Sequence, residues 1–187
     1  MTQLHGLVLA AGAGTRYGQP KALARDVEGA PWLELAVTLL RSVGCVDVTA
    51  VLGARAEEAR ELVPAGASVT VAANWRQGMS ASLRAGLAAA ALTEADAVLL
   101  TLVDLPGLPR SVAARILHAP VERVSLRQAV FEGRPGHPVL IGRDHWEGIG
   151  QSALGDRGAR SYLRTHGVLE LESSDLWNGS DVDRPTV

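Results

Sequence analysis

Between Leu9 and Lys21 the chain reads Leu-Ala-Ala-Gly-Ala-Gly-Thr-Arg-Tyr-Gly-Gln-Pro-Lys, three glycines and two cations in one short connection. Glycines at 12 and 14 let backbone N–H groups approach an anion that a Cβ would hold away. Arg16 can fork two donors onto phosphate oxygens, and Lys21 adds a compact positive charge. Anion binding, with phosphate foremost, is the chemistry these types support. A tight turn carrying two solvated cations is the plainer reading of the same residues.

Two familiar phosphate loops fail on spacing. A P-loop needs Gly, four residues, then Gly-Lys-Ser/Thr, whereas Gly18 is followed by Gln19-Pro20-Lys21-Ala22. The dinucleotide fingerprint needs Gly-x-Gly-x-x-Gly and an acidic residue ending the second strand. Here Gly12, Gly14 and Gly18 are one residue too widely spaced, and the second apolar run ends in Val51-Leu52-Gly53.

The elements that must hold this loop are legible as apolar runs. Leu4–Ala10, Val46–Leu52, Val69–Ala73 and Ala97–Val103 read as buried strands. Between them, Pro31–Val43 places Trp32, Leu35, Ala36, Leu39, Leu40 and Val43 on one helical face, with Pro31 at its first turn and Gly44 after it. Ser80–Leu92 repeats the pattern with Leu83, Gly86, Leu87 and Ala90, and Ser80 is its expected N-cap. Strand–helix alternation predicts a mostly parallel sheet with helices on both faces. After Pro120 the pattern loosens. Val121–Val130 and Gly136–Ile141, around the turn-rich Glu132–Gly136, predict a small antiparallel excursion, followed by a helix around Arg157–Thr165 and a strand near Val168–Glu172. In such a sheet ligands bind beyond the carboxyl ends of the strands, so the chemistry belongs just after residues 10, 73 and 103.

Composition narrows the partners. With 187 residues, 47% of them hydrophobic, the expectation is one globular domain over 1–187 with a core of Leu, Val and Ala. A net charge of −2 gives no footprint for a nucleic acid polymer. The lone Cys45 excludes an intramolecular disulfide and a cysteine-rich metal site. No charged leader precedes the first apolar run, which is too short for a signal peptide or a membrane span. The expected location is the cytoplasm.

At this point the residues meet a known pattern. Leu9-Ala10-Ala11-Gly12-x-Gly14-x-Arg16-x-Gly18-x-Pro20-Lys21 resembles the signature loop of nucleotidyltransferases with a three-layer Rossmann-like α/β fold. The nearest likeness is to the molybdenum cofactor cytidylyltransferase group within the molybdopterin guanylyltransferase superfamily. Gly78-Met79-Ser80-Ala81-Ser82-Leu83 resembles its second nucleotide segment, and Val103-Asp104-Leu105-Pro106 its metal-binding turn. Gly136-His137-Pro138 and Gly155-Asp156-Arg157-Gly158-Ala159-Arg160 are similar to its acceptor-side motifs, and Asp181-Val182-Asp183-Arg184-Pro185 to its closing motif.

That resemblance implies a set of roles. Leu9, Ala10, Ala11, Gly12, Gly14, Arg16, Lys21, Gly78, Ser80 and Ser82 would bind the nucleotide, and Arg16, Lys21 and Asp104 would serve catalysis. Asp104 and Asp183 would hold Mg²⁺; taken alone Asp104 could be a turn residue or a helix cap, and the glycine loop upstream favours the ligand. His137 and Arg160 would meet the acceptor, with Arg134 and Arg157 completing a cationic wall, or these arginines are solvated surface charges. Leu-Ala-Ala-Gly resembles the cytidylyl-transferring members, so Ala10-Ala11 points to CTP and to a molybdopterin-type acceptor, with a molybdoenzyme as partner. GTP, another acceptor such as a sugar phosphate, and a non-enzymatic protein that delivers molybdopterin or nucleotide stay open.

Overall fold

The structure, a computed structural model, describes residues 2–184. Its strands are β1 (Leu4–Ala10), β2 (Asp47–Leu52), β3 (Ser68–Val71), β4 (Ala97–Leu102), β5 (Leu126–Phe131), β6 (Arg134–Gly142) and β7 (Leu169–Glu172). They form one seven-stranded sheet in the order β3-β2-β1-β4-β6-β5-β7. β6 alone runs against its neighbours β4 and β5, and the other pairings are parallel. A mostly parallel sheet with a small antiparallel excursion is thus what the chain builds.

The helices are α1 (Trp32–Ser42), α2 (Ala56–Arg60), α3 (Met79–Ala91), α4 (Arg110–Ile116), α5 (Trp146–Ser152) and α6 (Arg160–Thr165). Every residue of β1 is buried, as expected for a strand covered on both faces. Successive strand side chains point to opposite faces. Val8, Val48 and Leu99 therefore pack with Leu33, Val37 and Leu40 of α1 and Val112 and Ile116 of α4. Leu7, Val51 and Val98 pack on the other side with Leu83 and Leu87 of α3, Ile149 of α5 and Leu163 of α6. Each fully buried Leu or Ile contributes roughly 1.5–3 kcal/mol. Among the described residues no helix is long and apolar enough to cross a membrane.

Three local expectations change. Ser80 does not cap α3. Gly78, with φ at 100°, holds that position, and Ser80 lies fully buried within the first turn. β5 begins at Leu126 rather than Val121, because Glu122–Ser125 closes a turn in which the Glu122 N–H donates to Ser125 Oγ at 3.0 Å. The helix expected over Arg157–Thr165 splits, since Gly158 takes φ of 53° between a short 3₁₀ turn at Gly155–Arg157 and α6.

The strand order reverses at β1, with β2 and β3 on one side and β4 on the other. Loops leaving the carboxyl ends of β1 and β4 therefore diverge around a crevice, the place where open α/β sheets bind ligands.

Candidate active site

The loop after β1 folds back on itself. Gly18 N–H donates to the Gly14 carbonyl at 2.9 Å, and Gly14 takes φ of 61°. A Cβ on Gly14 would fall 1.8 Å from the Gln19 carbonyl oxygen, so the turn itself requires glycine. Gly12 differs. A Cβ there would meet nothing within 4 Å, and the open space it leaves belongs to a cleft of about 560 Å³.

One end of this cleft is charged. Lys21 Nζ lies 3.0 Å from Asp104 Oδ2 and 2.9 Å from Asp183 Oδ1, and Arg16 Nη1 lies 2.7 Å from Asp183 Oδ2. Lys21 opens a short 3₁₀ turn after the glycine loop, and Asp104 lies two residues past the end of β4. The closing segment returns to this edge because the Val182 N–H donates to the Asp104 carbonyl at 3.0 Å, which brings Asp183 across the two loops. Lys21 and Asp104 side chains are only 14% and 19% exposed, whereas Arg16, paired with Asp183, is 78% exposed. Burial alone would lower the Lys21 pKa, yet hydrogen bonds and charges from Asp183 and Asp104 outweigh it and hold the ammonium above its ordinary value. The hydrogen bond from Lys21, then its charge, hold Asp183 below the ordinary aspartate value.

Asp104 Oδ1 is buried and has no hydrogen-bond partner. A buried carboxylate oxygen without a donor is unfavourable by itself. It fits a hard cation, which takes one or two carboxylates and completes its shell with phosphate and water oxygens. Among the described residues no cluster of three or more His, Cys, Asp or Glu forms a closed metal cage.

The cleft brings together most residues singled out by sequence: Leu9, Ala10, Ala11, Gly12, Gly14, Arg16, Lys21, Gly78, Ser82, Asp104 and Asp183 all line it. Ser80 does not, being fully buried with its hydroxyl unpartnered. Pro185 of the closing motif lies outside the described residues. His137 and Arg160 line a second, smaller pocket of about 140 Å³ with Arg157, and Leu9 and Met79 are shared with the larger cleft. Burial lowers the His137 pKa, against the raising influence of the Leu100 backbone and the Asp104 charge. Arg134 does not join Arg157 and Arg160. It sits 76% exposed on the β5–β6 hairpin, paired with Glu132 at 3.1 Å.

Sequence reasoning missed Trp75, Arg76, Met79, Asp156 and Asp181 as cleft residues. The Arg76 guanidinium lies 4.4 Å from the Trp75 ring centroid. Asp156 and Asp181 sit inside the acceptor-side and closing motifs already noted, and their acidic character there was the available signal.

The family model of the MobA-like NTP transferase domain matches residues 6–171. Nicotine blue oxidoreductase from Paenarthrobacter nicotinovorans is 35% identical, over 95% of this chain and 91% of that protein. The crystal structure of Rv0371c from Mycobacterium tuberculosis H37Rv superposes with a TM-score of 0.81 at 27% identity, covering 98% of this chain and 93% of that one. A manganese complex of Rv0371c from the same organism gives a TM-score of 0.72 at 26% identity, over 91% of this chain and 88% of that one.

Proposed function

The chain belongs to the MobA-like NTP transferase domain family, and from that premise we propose that it transfers CMP from CTP to the phosphate of a molybdopterin-type acceptor, releasing pyrophosphate. The observation that carries this reading is Lys21 held between Asp104 and Asp183 beside the glycine loop, with Asp104 Oδ1 left spare.

In the proposed reaction an acceptor phosphate oxygen forms a bond to the α-phosphorus as the α–β phosphoanhydride bond breaks. No protein nucleophile is required, because positioning and charge neutralisation supply most of the rate. Backbone amides of the Gly12–Gly14 turn and the exposed Arg16 guanidinium receive the phosphate oxygens. Lys21, kept charged by its carboxylates, neutralises negative charge that grows on the phosphates. Asp104 and Asp183 would hold Mg²⁺, which when bound offsets triphosphate charge. A manganese complex of the relative Rv0371c supports a divalent ion.

The likeness of Leu9-Ala10-Ala11-Gly12 to the cytidylyl-transferring members supports CTP, and these residues line the cleft. The smaller pocket supports the acceptor assignment, with His137, Arg157 and Arg160 along its wall and Leu9 and Met79 shared with the nucleotide cleft. A molybdoenzyme would receive the product. Cys45 is free and buried, and burial pushes its thiol up to about 12, so it takes no part in the proposed chemistry.

A redox reading draws support from the oxidoreductase relative. The loop spacing and the Lys21–carboxylate cluster favour phosphoryl chemistry. Incubation with CTP or GTP, Mg²⁺ and a molybdopterin acceptor, with pyrophosphate as readout, separates the readings. Pyrophosphate release dependent on CTP is expected. Release with GTP alone overturns the base assignment, and substrate oxidation or reduction without pyrophosphate moves the protein to redox chemistry.

A further inference from the structure

The two cations beside the glycine loop are matched by carboxylates of the chain itself. Lys21 and Arg16 supply two positive charges, Asp104 and Asp183 two negative ones, so the cluster is formally neutral. Asp183 bridges both cations, with Oδ1 2.9 Å from Lys21 Nζ and Oδ2 2.7 Å from Arg16 Nη1. A phosphate group presents two of its oxygens in the same fork.

The segment that delivers Asp183 is pinned along its course after β7. Arg115 Nη2 donates to Asp175 Oδ2 at 2.8 Å, and Trp177 stands edge-on to Phe131 with ring centroids 5.5 Å apart. A Cβ on Gly179 would fall 2.4 Å from the Phe131 ring, and Gly179 turns the chain there with φ of 73°. Val182 then packs against the core and donates its N–H to the Asp104 carbonyl at 3.0 Å. The backbone is thus fixed up to Asp183, while the carboxylate stays 45% exposed. That side chain can rotate toward solvent without unpacking the segment behind it. Asp181 lines the same cleft, yet among the described residues it pairs with no lysine or arginine.

Resting on the nucleotidyl-transfer reading above, we infer that Asp183 is an internal anion that holds the phosphate site against a polyphosphate lacking its metal. A metal-free polyphosphate must expel the carboxylate from Arg16 and Lys21, and it meets a cluster without net positive charge. Being tethered, the carboxylate competes at a high effective concentration. When a divalent cation accompanies the nucleotide, Asp183 turns toward that cation and releases Arg16 to the phosphates. One residue therefore opposes the bare anion and favours the metal-bound one.

The test measures affinity for inorganic tripolyphosphate and for CTP by calorimetry, in EDTA and again with Mg²⁺, on the wild type, Asp183→Asn and Asp181→Asn. In EDTA, Asp183→Asn is expected to bind tripolyphosphate roughly fivefold or more tightly than wild type. With Mg²⁺ that advantage should vanish or reverse. Asp181→Asn removes the same charge from the same cleft without releasing a cation, and should move the metal-free affinity far less. In an Arg16→Gln background the gain from Asp183→Asn should shrink, because both changes act on one contact. Unchanged or weaker metal-free binding by Asp183→Asn overturns the inference, and so does a gain of the same size with Mg²⁺. An equal gain from Asp181→Asn overturns it too, as a general effect of charge. Failure of the underlying reading looks different: no triphosphate then yields pyrophosphate with any acceptor, while the tripolyphosphate affinities still decide the role of Asp183.

Discussion

Lys21 and Arg127 are both largely buried cations, and their partners could hardly differ more. Arg127, 7% exposed on β5, turns its guanidinium onto the backbone carbonyls of Ile116 at 3.1 Å and Ala119 at 2.8 Å, and onto Pro120. It closes the C-terminal end of α4 and leaves those acceptors satisfied. Lys21 instead meets two carboxylates drawn from distant parts of the chain, one of which keeps a buried oxygen empty. A cation that completes backbone hydrogen bonding holds the fold. A cation surrounded by groups with unused valence waits for a ligand.

The sharpest way to break that contrast is at Asp104. Asp104→Asn should lower kcat by about 10³-fold or more, since a metal-holding carboxylate supports several kcal/mol of charge stabilisation. Its thermal midpoint should stay near wild type, because Asp183 still holds Lys21. Unchanged pyrophosphate release by this variant would return Asp104 to a plain turn residue.

Lys21 comes next. Lys21→Ala should cost ~10²–10³ in kcat, or about 3–4 kcal/mol, while nucleotide Kd changes far less. Lys21→Arg should recover only part, because a planar fork cannot place its charge where a compact ammonium sat between two carboxylates. Measuring kcat and Kd on one preparation decides the matter. A loss confined to Kd makes Lys21 a binding residue.

Arg127→Leu should show the opposite pattern. It strands buried carbonyls at the end of α4 and should destabilise by roughly 2 kcal/mol, a fall of about 4–8 °C for a chain of this size. Activity per folded molecule should stay at wild type. A fall in kcat with unchanged melting would place Arg127 in the chemistry and dissolve the contrast.

The two regions also differ in how far the sequence discloses them. β1 is legible to the residue, because a strand buried on both faces is a continuous apolar run. The glycine loop is legible because its residues are contiguous. The Lys21–Asp183 contact spans 162 positions, so no spacing rule reaches it, and only the resemblance of the closing motif pointed there. Ser80 was misread as a cap because the cap position was decided by Asp156, far away in sequence, which requires Gly78. α2 and α4, with five and seven residues, are too short to show a helical period. Arg127 gave no signal at all. An arginine inside a strand looks like a surface residue until the end of α4 is seen to lie over it.

The contrast extends to anions, where the smallest effect is expected. Glu172, at the end of β7, accepts from the Ser174 hydroxyl and from the backbone N–H groups of Glu132, Gly133, Ser173 and Ser174. It is as saturated as Asp104 is not. The Ser174 hydroxyl foremost, with the backbone donors, pulls its pKa from 4.5 to about 2. A carboxylate with a depressed folded pKa stabilises the native state above its unfolded value and loses that contribution as pH falls through the folded one. For Glu172 the loss falls between pH 4.5 and about 2. Glu172→Gln should therefore melt slightly lower than wild type at pH 7, and the gap should close across that acid window. The side chain is exposed, so the shift should be small and activity at pH 7 unchanged. A gap that persists undiminished at pH 2 would mean that the donors serve the carbonyl shape of the side chain rather than its charge.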